Sequence, residues 1–287
     1  MSSYRFCRTD DIPLLVDAYN ACYVPHFAEE PPLTIDGFKR RVRELNLWSS
    51  SCMLAFEGDR PIAVLLAAKR AEANLVHRIA VRPGEERRGH GRHLLASLGK
   101  KLAILGPPRL VAEVPSEWIG VREFFEAAGF EAETRTADFA LEALRDQGRA
   151  VEARDLVSEL TLDDLVESGA FDTSIRRSWE RSLATLRNRA AEIEGLAVAS
   201  DLRIEAYLLH RPEPSGGGRE IVALGAASEA TATPLLRLLV GCLYERENTV
   251  LRLAKVSEQE VRFSDLVSWG FRCEREFIGY SAPIHSG

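Results

Sequence analysis

The segment VRPGEERRGHGRHLL combines residue types that are suited to binding a phosphate group. Gly89 and Gly91 have no side chains at the point where an apolar helix is predicted to begin, so an anion could approach the main chain closely. The start of a helix also carries unpaired N–H groups and the positive end of the helix dipole. Further positive charge comes from Arg87, Arg88 and Arg92. The pattern predicts a pyrophosphate site, and a solvated turn with a basic rim is the alternative that remains open.

Two common phosphate motifs do not match this segment. The chain has no GxxxxGKS/T sequence, so the lysine and the magnesium-binding hydroxyl of a nucleoside-triphosphate P-loop are missing. The GxGxxG pattern of dinucleotide-binding folds is incomplete, because Leu94 stands where the third glycine would lie.

The elements that must position this segment alternate between helical and extended patterns. A helix, IPLLVDAYNACY, comes first, and a second helix follows Thr34. A β-hairpin is predicted to turn at Gly58-Asp59, and NLVHRIAV is predicted to be another strand. A helix is predicted from Gly89 to about Leu105, with Leu105 on its apolar face. A strand, RLVAEV, a helix that ends at Gly129 and a last strand follow. This order, written βααββββαβαβ, predicts a mixed α/β domain with one strand–helix–strand crossover.

The second half of the chain repeats this order weakly. Gly129-Phe130 recurs as Gly270-Phe271 at an offset of about 141 residues, each time after a predicted helix. We interpret the repeat as an internal duplication, with domains at residues 1–146 and 147–287, and chance similarity of two α/β domains is the alternative. SWERSLATLRNRAAEIEG is predicted to be one helix with its arginines on a solvated face. A later helix is predicted to begin at Thr233-Pro234, with the threonine as its cap.

Two blocks of the first half resemble a known family. The segment IAVRPGEERRGHGRHLL is similar to motif A of the GNAT acetyltransferases, in which a strand is followed by V-x-P-x-x-Q/R-x-x-G-x-G/A-x-x-L-L. AEVPSEWIGVREFFEAAGF resembles the next strand and helix of that family, where N-x-x-A-x-x-x-Y-x-x-x-G-F is common. The match covers about residues 3–145 with the correct order and spacing. It implies an α/β chain of two tandem GNAT-like domains, each a central mixed β-sheet flanked by helices.

The resemblance also implies a cofactor site and a reaction. The main chain of a splayed strand at Ile79, Ala80 and Val81 would hydrogen-bond the pantetheine arm of coenzyme A. The pyrophosphate would be surrounded by Arg87, Arg88, Gly89, His90, Gly91 and Arg92. An acetyl group would pass directly from the thioester of acetyl-CoA to an amine. A backbone N–H near Val81 would polarise the thioester carbonyl, and no metal would be required.

Three residues depart from the family pattern. Glu86 stands where Gln or Arg is usual, and an acid beside a phosphate is unfavourable unless it points away. Trp118 replaces the usual asparagine. Phe125 replaces the tyrosine that often protonates the leaving thiolate, and a phenyl ring cannot donate a proton. The sequence therefore supports binding of coenzyme A better than turnover.

Several side chains could supply acid–base chemistry or contact the acceptor. His77, four residues before Val81, is the candidate general base because unperturbed imidazole titrates near neutral pH. Glu113 could orient or deprotonate an amine. The candidate acceptor contacts lie in a loop that borders the acceptor pocket in this family: Tyr23, His26 and Phe27. For each of these residues a purely structural role is the alternative.

Composition restricts the class of partner. The net charge of −6 and the isoelectric point near 5.7 argue against a general nucleic-acid binder. The five cysteines have irregular spacing, which favours reduced thiols over a disulfide framework or a metal site. The chain has neither an apolar signal sequence nor a run long enough to span a membrane. We therefore expect a soluble, cytoplasmic protein.

The second half is predicted to bind no coenzyme A. The segment that corresponds to the phosphate loop, GAASEATATPLLRLL, has no GxG, and Glu229 replaces the arginines. This half could cover the acceptor pocket, complete a sheet or form a homodimer. The predicted function is N-acetyl transfer from acetyl-CoA to a primary amine of a small molecule or a peptide. The rival is a non-catalytic acyl-CoA-binding sensor or scaffold on the same fold.

Overall fold

The computed structural model describes residues 2–27, 31–143, 156–214 and 216–284. Within these ranges the chain divides into two compact units. The first contains Met1–Val114, Trp118–Glu133 and Gly279–Gly287, and the second contains Pro115–Glu117 and Thr134–Ile278. The predicted boundary between residues 146 and 147 lies outside the described residues and stays a prediction.

The first unit is a mixed sheet with four helices. Its strands are β1 (Ser2–Phe6), β2 (Met53–Glu57), β3 (Arg60–Lys69), β4 (Asn74–Val81), β5 (Arg109–Pro115) and the start of β6 (Glu131–Leu141). Its helices are α1 (Ile12–Cys22), α2 (Ile35–Leu45), α3 (His90–Leu105) and α4 (Ile119–Ala127). The strand order β1-β2-β3-β4-β5 is antiparallel except for the parallel pair β4 and β5. The chain therefore passes from β4 to β5 through α3, as a strand–helix–strand crossover requires.

The second unit repeats this arrangement. Its strands are β7 (Val157–Leu160), β8 (Glu194–Ala199), β9 (Ile204–Pro212), β10 (Gly218–Ala226), β11 (Val250–Ser257) and β12 (Arg272–Pro283), which from Gly279 onward belongs to the first unit. Its helices are α5 (Leu162–Glu167), α6 (Leu183–Asn188), α7 (Glu229–Glu247) and α8 (Phe263–Trp269). The pair β10 and β11 is parallel, and its other sequential pairs are antiparallel. The order βααβββαβαβ occurs twice, which confirms the predicted tandem mixed sheets.

Local signals set several element ends. The Thr34 hydroxyl accepts a hydrogen bond from the Gly37 amide at 3.0 Å and caps α2. Both α4 and α8 end at a glycine with positive φ, Gly129 at 84° and Gly270 at 108°. After each glycine the phenylalanine amide bonds back to a helix carbonyl, as at other left-handed helix ends. The Gly-Phe repeat in the sequence therefore marks equivalent helix termini.

Four local predictions were wrong. Between α2 and α3 there are three strands, one fewer than predicted. Leu105 is 68% exposed as the last residue of α3, whereas the earlier leucines of the same face are buried. Helix α7 begins at Glu229, so Pro234 lies inside it; the residue before proline is only biased against helix. The predicted helix SWERSLATLRNRAAEIEG is divided into short pieces around α6, because Ser182 caps a new helix start.

All five cysteines lie in the described part of the chain, and none of them forms a disulfide bond. Cys7, Cys22, Cys52 and Cys242 are buried, and Cys273 is exposed. Burial raises the pKa of the Cys52 thiol to about 12, so this group is neutral at physiological pH. Across the described ranges, no helix is both long enough and apolar enough to cross a bilayer.

Candidate functional site

A cavity of about 820 Å³ opens in the first unit, at the start of α3. This volume lies within the range usual for small-molecule and cofactor sites, roughly 300–1,000 Å³. The cavity is lined by the segment that follows α1, by the end of β4, by the start of α3 and by α4. The lining residues are His26, Phe27, Ile79, Ala80, Val81, Glu86, Arg87, Gly89, His90, Gly91, Arg92, Gly120, Val121, Glu123 and Phe124.

The backbone of β4 is open on the side of this cavity. The parallel pairing with β5 stops at Val76 and Ala112, so the rest of β4 has no strand on that side. The Arg82 amide donates to the Ile62 carbonyl of β3 at 2.8 Å, and residues of an antiparallel strand alternate in direction. The main-chain groups of Val81 and Ile79 therefore face away from β3. The Val81 carbonyl is bonded to Nε2 of His26, so the groups that an extended ligand could use are the Val81 amide and the main-chain groups of Ile79.

The start of α3 forms the other wall. Gly89 is the N-cap in the left-handed conformation at φ 86°, and Arg87 also has a positive φ of 60°. Gly89 adopts this conformation at no steric cost, whereas a residue with a Cβ atom would be strained. The first-turn amides and the helix dipole thus face a cavity that Arg87 and Arg92 also line.

Gly91 is required for close packing rather than for an unusual backbone angle. A Cβ atom at this position would lie 3.3 Å from Cε2 of Phe124 and 3.8 Å from Cγ2 of Val81. Gly91 therefore lets α3 approach both α4 and β4. The lack of a side chain keeps the space between these three elements open.

His90, the first residue of α3, has a partner that the sequence did not reveal. The Tyr4 hydroxyl of β1 lies 2.6 Å from Nδ1 of His90. The Tyr4 ring also lies on the His93 ring, with 3.8 Å between the ring centroids. The two interacting residues are 86 positions apart, and no local pattern around Tyr4 indicates the contact.

Aromatic rings border the cavity on the side of α1. Phe27 stacks on Trp118 with 4.2 Å between centroids, and its other neighbour is Tyr23 at 4.3 Å. His26 and Phe27 line the cavity, whereas Tyr23 is buried and is not a lining residue. Trp118, which replaces the family's asparagine, thus supports a lining residue by stacking.

The acidic residues of the phosphate segment are partly neutralised by local partners. Glu85 is buried and pairs with Arg60 and with Arg88, whose Nη1 lies 2.8 Å away. Arg88 is therefore turned towards Glu85 and does not line the cavity. Glu86 lines the cavity, and its carboxylate accepts a hydrogen bond from the Gly84 amide at 2.6 Å. Hydrogen bonds from backbone N–H groups hold the pKa of Glu86 below its usual range.

The two predicted catalytic residues lie outside the cavity lining. His77 is 9% exposed and is the extra residue of a β-bulge in β4, since Val76 and Arg78 pair with adjacent residues of β3. Glu113 is half-buried on β5. Their predicted roles as base and orienting group remain predictions. His26, which the sequence analysis placed among the acceptor contacts, is the histidine on the α1 side of the cavity.

Phe125 also lies outside the cavity lining. Its ring is 3% exposed and packs edge-on against Phe130, at 5.0 Å, and parallel to Tyr280, at 6.3 Å. The neighbouring residue of α4, Phe124, lines the cavity instead. The Tyr280 hydroxyl donates to Glu126 at 2.6 Å and accepts from Arg122 at 3.2 Å, so it is engaged on the surface of α4.

In the second unit a buried arginine contacts β10 directly after the point where its pairing with β11 stops. The parallel pairing of β10 and β11 stops at Glu220 and Arg252, and Arg181 donates to the Ile221 carbonyl at 2.7 Å. Nε of Arg181 also lies 3.0 Å from both oxygens of Glu260, and the arginine is only 2% exposed. The prediction of a solvated face was therefore wrong for Arg181, because a buried carboxylate 79 residues away pairs with it, whereas Arg187 is exposed as predicted. Glu229 is in the first turn of α7.

No group of three or more His, Cys, Asp or Glu side chains among the described residues is arranged to hold a metal ion.

The fold and the cavity define a GNAT-type domain. Residues 12–130 match the model of the acetyltransferase (GNAT) family, so the first unit contains a domain that matches this family. No curated protein sequence matches the chain.

Solved structures resemble the whole chain. A GCN5-related N-acetyltransferase from Sphaerobacter thermophilus has a TM-score of 0.68 and 16% identity, covering 100% of this chain and 96% of that one. A tandem GNAT protein from the clavulanic acid biosynthesis pathway has a TM-score of 0.62 and 14% identity, and both chains are covered completely. A putative acetyltransferase from Pyrococcus horikoshii has a TM-score of 0.63 and 15% identity, covering 100% and 93%. At these identities the likeness establishes the fold.

Proposed function

We propose that the first unit binds acetyl-CoA in this cavity and transfers the acetyl group to a primary amine of a small molecule or a peptide. The observation that carries the proposal is the meeting of three ligand-binding features on one cavity. These are the open main chain of β4, the amides at the start of α3 and the side chains of Arg87 and Arg92. The first suits an amide-containing arm, and the other two suit a diphosphate.

The protein's own groups would act on each part of the reaction. The amine lone pair attacks the thioester carbonyl carbon, the C–S bond breaks and the thiolate leaves with the electron pair. The Val81 amide faces the cavity side of β4 and would stabilise the oxyanion that forms during this attack. His26 would receive the proton that the amine loses, through Nδ1, since its Nε2 is bonded to the Val81 carbonyl at 2.7 Å. Solvent would protonate the thiolate.

One observation favours a second candidate function, an acyl-CoA-binding sensor or scaffold. Phe125 stands where the family commonly has a tyrosine, and its buried position leaves no room for a hydroxyl near the cavity. Such a protein would bind the thioester without turnover.

A steady-state assay of thiol release separates the two functions. The purified chain is incubated with acetyl-CoA and a panel of small amines and peptide N-termini, and acetylated amines are detected by mass spectrometry. Gly91→Glu is the test variant, because its side chain would enter the space between Val81 and Phe124 and place a negative charge there. Gly99→Glu is the matched control on α3, where an added Cβ atom meets open space. We expect amine-dependent release from the wild type and from Gly99→Glu only. Saturable binding without release from any amine would support the sensor instead.

A further inference from the structure

The contact between Tyr4 and His90 places a polar pair at the edge of the cavity. Tyr4 is on β1, and its hydroxyl oxygen lies 2.6 Å from Nδ1 of His90. The Tyr4 ring is held at the same time by His93, one turn further along α3. The hydroxyl is therefore fixed in front of Nδ1 by packing as well as by the hydrogen bond.

The geometry of this contact suits a hydrogen bond that the Tyr4 hydroxyl donates to Nδ1 of His90. The imidazole is the first residue of α3 and lines the same cavity as Arg87 and Arg92. A phenol is a good donor, and a neutral imidazole has one donor and one acceptor nitrogen. When Nδ1 accepts from Tyr4, the proton of the ring must be on Nε2.

Nε2 is the ring nitrogen that remains for a ligand. His90 is only 6% exposed, yet it lines the cavity. Within the described part of the chain, the one hydrogen bond of the His90 ring is that with Tyr4. An N–H group that faces the cavity can donate a hydrogen bond to an oxygen of a bound anion.

We propose that Tyr4 is a positioning residue, which holds His90 as the Nε2–H tautomer so that this N–H donates to the diphosphate of the bound thioester. The inference rests on the proposed function, since it assigns a further donor to the same ligand. It adds a side-chain donor to a site whose other contributions are main-chain amides and two arginines.

The test reads the tautomer and the affinity separately. Two-dimensional ¹⁵N–¹H NMR of the imidazole nitrogens in the free protein reports which nitrogen carries the proton. Calorimetry then compares acetyl-CoA with S-acetylpantetheine, which has the thioester arm but no diphosphate. We expect the Nε2–H tautomer in the wild type and a mixture in Tyr4→Phe. We expect Tyr4→Phe to weaken acetyl-CoA binding roughly 3- to 10-fold and to leave S-acetylpantetheine binding unchanged.

Two further variants keep the result interpretable. The amide nitrogen of glutamine can replace Nε2 as a donor without any tautomer, so Tyr4→Phe should have no further effect on affinity in a His90→Gln background. Gly99→Gln adds an amide side chain on α3 where a Cβ atom meets open space, outside the cavity lining, and should leave the affinity unchanged.

The outcomes distinguish this inference from the proposed function. A proton on Nδ1 in the wild type, or an acetyl-CoA affinity that Tyr4→Phe does not change, would overturn the inference and leave the proposed function standing. An equal loss of affinity for both ligands would also overturn it, because it would indicate a general distortion of the cavity. Absence of any acetyl-CoA binding by the wild type would overturn both.

Discussion

Nε2 of His26 lies 2.7 Å from the carbonyl oxygen of Val81, although 55 residues separate the two in the chain. A carbonyl oxygen only accepts hydrogen bonds, so Nε2 must carry the proton. Glu86 lies 3.9 Å from the same nitrogen. The contact ties the segment after α1 to the open end of β4, and it leaves Nδ1 of His26 to accept a hydrogen bond from an amine.

Replacing His26 should therefore affect the acceptor more than the thioester. We expect His26→Ala to lower kcat/KM for the amine by roughly 10-fold or more, since general-base catalysis is typically worth at least that factor. The dissociation constant of acetyl-CoA should change by less than about 3-fold, the effect of one modest hydrogen bond. Initial rates at varied amine, together with calorimetric titration of acetyl-CoA, check both values. An unchanged kcat/KM for the amine would show that His26 does not act on the acceptor.

Restoring the family's tyrosine at position 125 should not restore an acid. The Phe125 ring is surrounded by Phe130 and Tyr280 and lies outside the cavity lining, so a hydroxyl there would be buried. We expect Phe125→Tyr to reduce the free energy of unfolding by about 1–3 kcal/mol, the cost of an unsatisfied buried polar group, without raising thiol release. Phe124→Tyr is the matched control, because that ring lines the cavity and its hydroxyl would remain solvated. Faster release from Phe125→Tyr would show that this side chain reaches the reacting thiolate.

The contribution of Asp138 to the stability of the second unit should fall as the pH rises from about 4 to about 6. Burial raises the pKa of Asp138 from 3.8 to about 6, although the Lys255 amide donates to its Oδ1 at 2.7 Å. A carboxyl whose pKa is higher in the folded state makes its full contribution to the free energy of unfolding below pH 3.8. It loses this contribution as the pH rises through the folded-state pKa of about 6. We expect the difference in unfolding free energy between wild type and Asp138→Asn to change by on the order of 2 kcal/mol across this window. Urea unfolding at several pH values measures it, and a pH-independent difference would contradict the assignment.

Removing one partner of the buried ion pair in the second unit should lower the free energy of unfolding. Arg181→Met would leave the buried Glu260 carboxylate with Arg177 alone, whose Nε is 3.5 Å away. We expect a loss of about 3 kcal/mol in the free energy of unfolding, in line with other buried pairs broken on one side. Trp179 and Trp269 are both in the second unit and report its urea unfolding by fluorescence. The exposed Arg187→Met is the control, with an expected change within about 0.5 kcal/mol. Equal effects of the two variants would argue against a structural role for the pair.

The sequence predicted those features that local signals determine. The start of α3 at a glycine, the cap of α2 at Thr34 and the equivalent ends of α4 and α8 each depend on a few adjacent residues. Most of the residues that the resemblance places around a pyrophosphate line the cavity, since they belong to one continuous segment: Arg87, Gly89, His90, Gly91 and Arg92.

The features that the sequence did not predict depend on residues far apart in the chain. Nothing near Tyr4 indicates that its hydroxyl meets His90, because β1 and α3 are brought together only by the sheet. Arg181 was assigned to a solvated surface because its neighbours have helical spacing, and its partner Glu260 is 79 residues away. His77 was chosen as a base from its position on a strand, but a β-bulge determines which way a strand residue points, and sequence does not reveal the bulge.

Isothermal titration of acetyl-CoA into the purified chain tests the central claim, that the cavity at the start of α3 holds the thioester cofactor by its diphosphate. We expect saturable heat from the wild type and from Gly99→Glu, with dissociation constants within about 2-fold of each other. Gly91→Glu should bind at least about 10-fold more weakly, because its side chain occupies the cavity wall beside Phe124. A wild type that gives no saturable heat, or a Gly91→Glu variant that binds as tightly as the wild type, would contradict the account.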